Sequence, residues 1–305
     1  MKKLHSLVEL LEYAKEVGPK RVSVARAEDA DVLEAVDRAQ KEGIAEVILV
    51  GNADKIAETA RSLGIDLSRF RLVDARGSEA EVGLAAVELV SSGQADILMK
   101  GMIQTANFLR GVLDKERGLR TGSLLSHTYI HQIEGYDRIF FICDPAFNIA
   151  PDLNAKVKIL NNTVNLAHSF GIDNPKVAVL AAVEVVNPDM PCTLEAAALV
   201  QMNRRGQIKG CVIDGPLALD NAVNVEAARH KGITSEVAGQ ADILLVPDIE
   251  AGNLLAKSIV YFAPNKTAGL VLGAKAPVVL TSRTDSPETK LLSIASAVVL
   301  SSYKA

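Results

Sequence analysis

An apolar stretch, Pro277 to Leu280, runs straight into Thr281-Ser282-Arg283-Thr284-Asp285-Ser286. Ser282, Arg283 and Asp285 place a hydroxyl, a guanidinium and a carboxylate within four residues. The planar fork of Arg283 can donate two parallel hydrogen bonds to a phosphate. Ser282 can donate to an oxygen that gains charge, and Asp285 can collect a proton. A second apolar stretch, Ile243 to Val246, runs into Pro247-Asp248-Ile249-Glu250-Ala251-Gly252-Asn253 and then a helix that carries Lys257. Open parallel sheets bind ligands where strands end in this way.

Three further polar clusters follow apolar strands. Met99-Lys100-Gly101 leads into a helix with Thr105 near its start and Arg110 further along. A lysine, a glycine and a fresh helix N-terminus can together cradle an anion. Cys143-Asp144-Pro145-Ala146-Phe147-Asn148 precedes a helix capped by Asp152, and Asp214-Gly215-Pro216 precedes Asp220 and Asn221. Each cluster alone also reads as a strand-to-helix turn of Asp, Asn, Pro and Gly. Five of them, with acidic and basic groups mixed, point to one shared cleft.

The elements that must position these groups alternate from end to end. Strands are expected at Lys20–Ala25, Ala45–Val50, Phe70–Asp74, Ala95–Met99, Leu119–Ile130, Ile139–Cys143, Lys176–Ala181 and Gly210–Asp214, besides the two at the outset. Helices are expected at Ala27–Glu42, Asp54–Leu63, Glu79–Ser91, Gln104–Leu113, Asp152–Phe170, Leu194–Asn203 and Pro287–Tyr303. Strands alternating with helices mean βαβ units, so the expected class is α/β with mostly parallel sheets and helices on both faces. Pro145, Asn148 and Pro151 interrupt the pattern. Residues 1–143 with a returning 284–305 are therefore expected to form one discontinuous domain and 144–283 a second, with the active site in the cleft between them.

Composition removes other classes. A net charge of −4 argues against nucleic acid or a membrane bound through a broad basic surface. Met1 to Gly18 carries Glu9, Glu12 and Glu16 at helical spacing, which fits an amphipathic helix and not a signal peptide. No apolar run reaches the ~20 residues that span a bilayer, and the three cysteines lack CxxC spacing, so reduced thiols and a cytoplasmic setting are expected. His127 and His131 lack the glutamate of a zinc motif, and no metal site is expected. The chain has no Walker lysine motif, no GxGxxG after a strand and no GxSxG elbow, so no permanently bound cofactor is expected.

Taken together, KGMIQTANFLR (Lys100 to Arg110), DPAFNIAPD (Asp144 to Asp152), DGPLALDNA (Asp214 to Ala222), VPDIEAGNLLAK and LTSRTDS resemble the phosphate acetyl/butyryl transferase family. The likeness runs from about Ala95 to the C-terminus and is weaker before it. LLSH (Leu124 to His127) and the LTSRTDS ending look more like the butyryltransferase branch. The resemblance implies reversible transfer of a short acyl group between CoA, a substrate, and inorganic phosphate. It further implies a two-domain fold like isocitrate and isopropylmalate dehydrogenases and a homo-oligomer, a dimer or a multiple of dimers.

The resemblance assigns Ser282 and Arg283 to the transition state and phosphate, and Arg110 to substrate. Lys100, Thr105, Asp144, Asn148, Asp220, Asn221, Asp248, Gly252, Asn253 and Lys257 complete the expected binding set. The acetyltransferase branch has an aspartate seven residues after the serine, where this chain has Thr289. Asp285 is the expected base in its place. Other readings are a phosphate acetyltransferase, a nicotinamide-dependent dehydrogenase of the same fold, and a non-catalytic CoA or acyl-phosphate sensor.

Overall fold

The computed structural model describes residues 3–304. Helices α1 (Leu7–Val17), α2 (Ala30–Lys41), α3 (Ala53–Ser62), α4 (Glu79–Ser91) and α5 (Thr105–Val112) alternate with strands β1 (Lys20–Ala25), β2 (Ala45–Gly51), β3 (Arg71–Asp74) and β4 (Ile97–Lys100). Then come β5 (Ser126–Ile133), β6 (Phe140–Cys143), α6 (Leu153–Ser169), β7 (Lys176–Leu180), α7 (Pro191–Arg204) and β8 (Val212–Leu217). Helices α8 (Leu219–Val223) and α9 (Val225–His230) precede β9 (Ile243–Leu245) and α10 (Ile249–Phe262). The chain ends with β10 (Asn265–Leu272), β11 (Val278–Val279) and α11 (Pro287–Ser302).

These elements form two compact units. The N-terminal unit holds Leu7–Ser123 and the chain from Ala268 onward; the central unit holds Leu124–Thr267 and the stretch ending at Ser6. In the N-terminal unit the strand order is β3-β2-β1-β4-β11-β10. All neighbours there are parallel except β10 and β11. Its inner strands are buried on both faces and mostly apolar, Val22 to Ala25 in β1 and Ile97 to Met99 in β4, as a covered parallel sheet requires. Helix α11 packs on α1, α2, β4 and β11, and every residue from Lys290 to Val299 is buried.

In the central unit the order is β5-β6-β9-β7-β8, parallel except for β5 and β6. Phe140, Ile142, Ala178, Leu180, Leu217, Leu244 and Val246 form one core cluster there. Helix starts follow side-chain caps. Asp29, Asn52, Asp152, Asp248 and Ser286 each accept a backbone N–H of the first turn they precede. Ser78 and Glu81 form a reciprocal capping box on α4. Among the described residues no helix is long and apolar enough to cross a membrane.

The α/β class and mostly parallel sheets are as expected. The division is not at 143/144 and 283/284. β5 and β6 pair with each other, and β6 pairs with β9, so residues from Leu124 go with the central sheet. β11 pairs with β4, Val278 opposite Leu98, so the stretch from Ala268 goes with the N-terminal unit. The strand expected at Leu119–Ile130 begins only at Ser126, because Thr121 turns the chain by accepting from Ser123 N and donating to Gly273 O. β10 was not expected. Its polar start and internal Gly269 hide it, and it is fastened where Gly269 N donates to Ser293 Oγ of α11 at 2.9 Å.

Ser293 is fully buried and also donates to Thr289 O. Ser293→Ala strands the Gly269 N–H, so stability should fall by about 1–3 kcal/mol. Urea denaturation with an unchanged slope reads this loss directly.

Candidate functional site

In the N-terminal sheet β1 has β2 on one side and β4 on the other. The chain leaves β1 toward α2 and β4 toward α5, so this is the point where an open sheet separates its loops. The backbones close tightly there: Gly101 N donates to Ala25 O at 2.9 Å and Met102 N to Arg26 O at 2.8 Å. A Cβ on Gly101 would lie 2.3 Å from the Arg26 carbonyl oxygen, so only glycine fits. Arg26 has φ 55°, the one non-glycine residue with positive φ among those described.

Beside this crossing lies a cavity of about 90 Å³ lined by Asp29, Lys100, Met102, Ser282, Arg283 and Lys290 among others. That suits a small ion, since a water occupies about 30 Å³ of liquid. Lys100 and Lys290 are 5% and 3% exposed. Burial, then Arg283 and Lys290, pull the Lys100 amine below its ordinary 10.5. Its Nζ donates to Gly101 O at 3.3 Å. Lys290 donates to Asp285 O and lies 3.8 Å from Asp31 Oδ2. Ser282 N donates to Asp285 Oδ2 at 2.6 Å, and Ser282 Oγ lies 3.1 Å from Thr284 Oγ1. Asp285 thus fastens the Ser282 loop, and Arg283 points from that loop as an exposed cation. Thr289 sits in the first turn of α11, where its N–H donates to Ser286 Oγ at 3.2 Å.

A second layer of charge adjoins it. Arg26 Nη1 donates to Glu79 Oε1 at 3.0 Å. Glu79 Oε2 accepts from Gln104 N and from Asn107 Nδ2, each at 3.0 Å. Arg110 Nη1 reaches Asn107 Oδ1 at 3.1 Å, while Thr105 is exposed on the first turn of α5. The Gln104 N–H, then Asn107, hold the Glu79 carboxyl below its usual range, with Arg26 and Arg283 adding charge.

The expected residues of the central unit fall into separate groups. Asp144 is buried and ties its own loop, accepting from Ala146 N, Phe147 N and Asn148 Nδ2 at 3.0, 3.1 and 2.5 Å. Asn148 also donates to Leu125 O, and Asn253 Nδ2 donates to Pro145 O at 3.2 Å. Gly252 lets α10 approach this loop, for a Cβ there would lie 2.9 Å from Pro145 Cα. Asp220 pairs with Lys231 at 3.3 Å, Asn221 donates to Glu184, and Lys257 lies over the Tyr261 ring.

Asp248 instead lines a cavity of about 810 Å³ in this unit. Leu180, Met190, Leu219, Val246 and Leu255 make it apolar, and a Lys156–Glu195 ion pair stands in its wall. Its volume is that of a small-molecule site. Sequence reasoning gave no role to Arg26, Glu79 or Lys290 in one unit, nor to Lys156, Glu195 or Met190 in the other. Glu79 carried a signal as the first helical residue after Ser78, and Lys290 as the lysine four residues after LTSRTDS, which closes that polar cluster.

The three cysteines are free thiols. Burial pushes Cys143 up to about 12 and Cys211 up to about 11, while Cys192 is partly exposed at the large cavity. A maleimide should therefore label the native protein once, at Cys192, and the other two only after unfolding. Peptide mass mapping before and after denaturant checks it.

The geometry has matching relatives. The family described as "Phosphate acetyl/butaryl transferase" matches residues 6–83 and 79–298. The phosphate butyryltransferase of Clostridium acetobutylicum is 52% identical over 301 residues, 99% of this chain and 100% of that protein. The phosphate acetyltransferase of Thermotoga maritima is 47% identical over 96% of this chain and 99% of its own. A crystal structure of a branched-chain phosphotransacylase from Enterococcus faecalis superposes with a TM-score of 0.83 at 34% identity, covering 92% of this chain and 99% of that one. With its sequence matched along nearly all its length and its fold shared, the chain belongs to the phosphate acetyl/butyryl transferase family of acyltransferases.

Proposed function

We propose that this protein exchanges a short acyl group, butyryl foremost, between CoA and inorganic phosphate: acyl-CoA plus phosphate gives acyl phosphate plus CoA. The observation that carries this is the meeting of Lys100, Ser282, Arg283 and Lys290 around one ion-sized cavity in a chain of this family. Butyryl is favoured because the relatives from Clostridium acetobutylicum and Clostridium beijerinckii named for it are 52% and 53% identical. A cytoplasmic homo-oligomer belongs to the same reading, and the exposed Leu254, Tyr261 and Phe262 of α10 suit self-association.

The reaction brings two anions together, so cations come first. Arg283 holds phosphate in its fork, and Lys100 and Lys290 offset the repulsion between phosphate and the thioester's charged groups. Ser282 Oγ donates to the thioester oxygen as the carbonyl becomes tetrahedral, a contribution of about 3 kcal/mol. In reverse, the CoA thiol must shed a proton, and Asp285 is the carboxylate of the Ser282 loop available to take it. Holding both substrates in register supplies the largest part of the acceleration.

The test is thioester formation from CoA and acetyl, propionyl, butyryl or isobutyryl phosphate, followed by absorbance. Butyryl phosphate should react fastest, and Arg283→Ala should lose about a hundredfold or more while keeping its melting temperature. A flat trace with every acyl phosphate would sink the reading, and near-normal rates for Arg283→Ala would remove that residue's role.

Lys100 gives the pH dependence its sign. Its pKa is depressed in the free protein, and bound phosphate favours the charged form. Phosphate affinity should therefore fall as pH rises, with a midpoint below 10.5. Lys100→Arg, which keeps its charge, should shift that loss to higher pH in a KM-versus-pH profile.

A further inference from the structure

One carboxylate stands among the cations of the anion site. Glu79 is the first residue of α4, yet its hydrogen bonds go to other elements. Through Oε1 it holds Arg26, in the loop after β1 whose carbonyl oxygen anchors Met102. Through Oε2 it caps α5, whose own N-cap residue Gln104 makes no side-chain cap bond. Through Asn107 it reaches Arg110. Its charge is felt at Lys100, and it feels Arg283 in turn. Glu79 and Arg26 are each about a quarter exposed, so their pairing is screened less than that of two fully exposed charges.

We propose that Glu79 is the positioning counter-ion of the phosphate site, holding Arg26 and the start of α5 so that the cationic groups stand in productive register while the site is empty. The proposal rests on the acyl-transfer reading and deepens it. A resident carboxylate lowers the positive potential that phosphate meets, so the site gives up some affinity. In return the guanidinium and the α5 amides are already oriented when phosphate arrives. An ordinary structural carboxylate would have no such opposed effects.

The opposed effects are measurable on the whole protein. Glu79→Gln keeps an acceptor for Gln104 and Asn107 but removes the charge. Inorganic phosphate should bind several-fold tighter by calorimetry, while kcat falls about ten- to a hundredfold. Arg26→Gln keeps the α5 cap but leaves Glu79 unneutralised, so phosphate should bind more weakly. The double variant should return to near the parent's affinity, as expected of two residues that act through each other. Weaker binding, lower kcat and a lower melting temperature together in Glu79→Gln would overturn the proposal in favour of a merely structural cap. So would unchanged binding, or a double variant as weak as Arg26→Gln. If the parent itself turned over no acyl-CoA, the acyl-transfer reading would fail, and the phosphate titrations would still decide the counter-ion role.

Discussion

Two ammonium groups held out of water at the carboxyl end of one sheet set the terms for the N-terminal unit. Removing a charge from water is costly unless polar groups replace the lost solvation. Lys100 leans on the Gly101 carbonyl, and Lys290 on the Asp285 carbonyl with Asp31 further off. Burial and the positive Arg283 and Lys290 weigh against the Lys100 charge more than Glu79 and Asp29 support it. A site with unspent positive potential favours an anion far more than a neutral ligand. The glycine at 101, the outlying φ of Arg26 and the fastening of the Ser282 loop by Asp285 all bring backbone close around these two amines.

The central unit follows a different logic. Its polar residues are largely spent on one another. Asp144 ties its own loop, Asn253 ties α10 to that loop, and Gly252 permits the approach. What remains open is the apolar cavity, where the buried Lys156 already has Glu195 beside it. One unit thus gathers cations in a small space and the other holds a roomy, mostly apolar pocket.

Much of this was legible in the sequence, for reasons that can be named. Buried parallel strands must be apolar runs and helices must be capped, so β1, β2, β4 and α4 stood where composition put them. Lys100, Ser282 and Arg283 were visible because each sits next to the end of a strand. Glu79 and Arg26 were not, and Lys290 showed only as the lysine that follows LTSRTDS, with no role attached. On paper they are charges in first helical turns or loops, and only the return of α4, α5 and α11 to the same sheet edge brings them together. The domain boundary was hidden because an antiparallel pairing such as β5 with β6 leaves no mark in apolar periodicity. β10 was hidden because its polar start and internal Gly269 interrupt the apolar run, and the Gly269 N–H is met by a serine from a helix that comes later in the chain.

The order in which the pieces occur along the chain has a consequence for synthesis. A ribosome delivers α1 to β4 first, but the strand that lies against β4 and the helix that covers α1 and α2 are made last. Until α11 emerges, the apolar faces that it buries have no cover. The central unit, by contrast, is almost wholly encoded in one uninterrupted run, Leu124–Thr267. The half of the protein made first is therefore the half that must be finished last, and a chain cut short before Pro287 would carry an open apolar surface rather than a smaller enzyme.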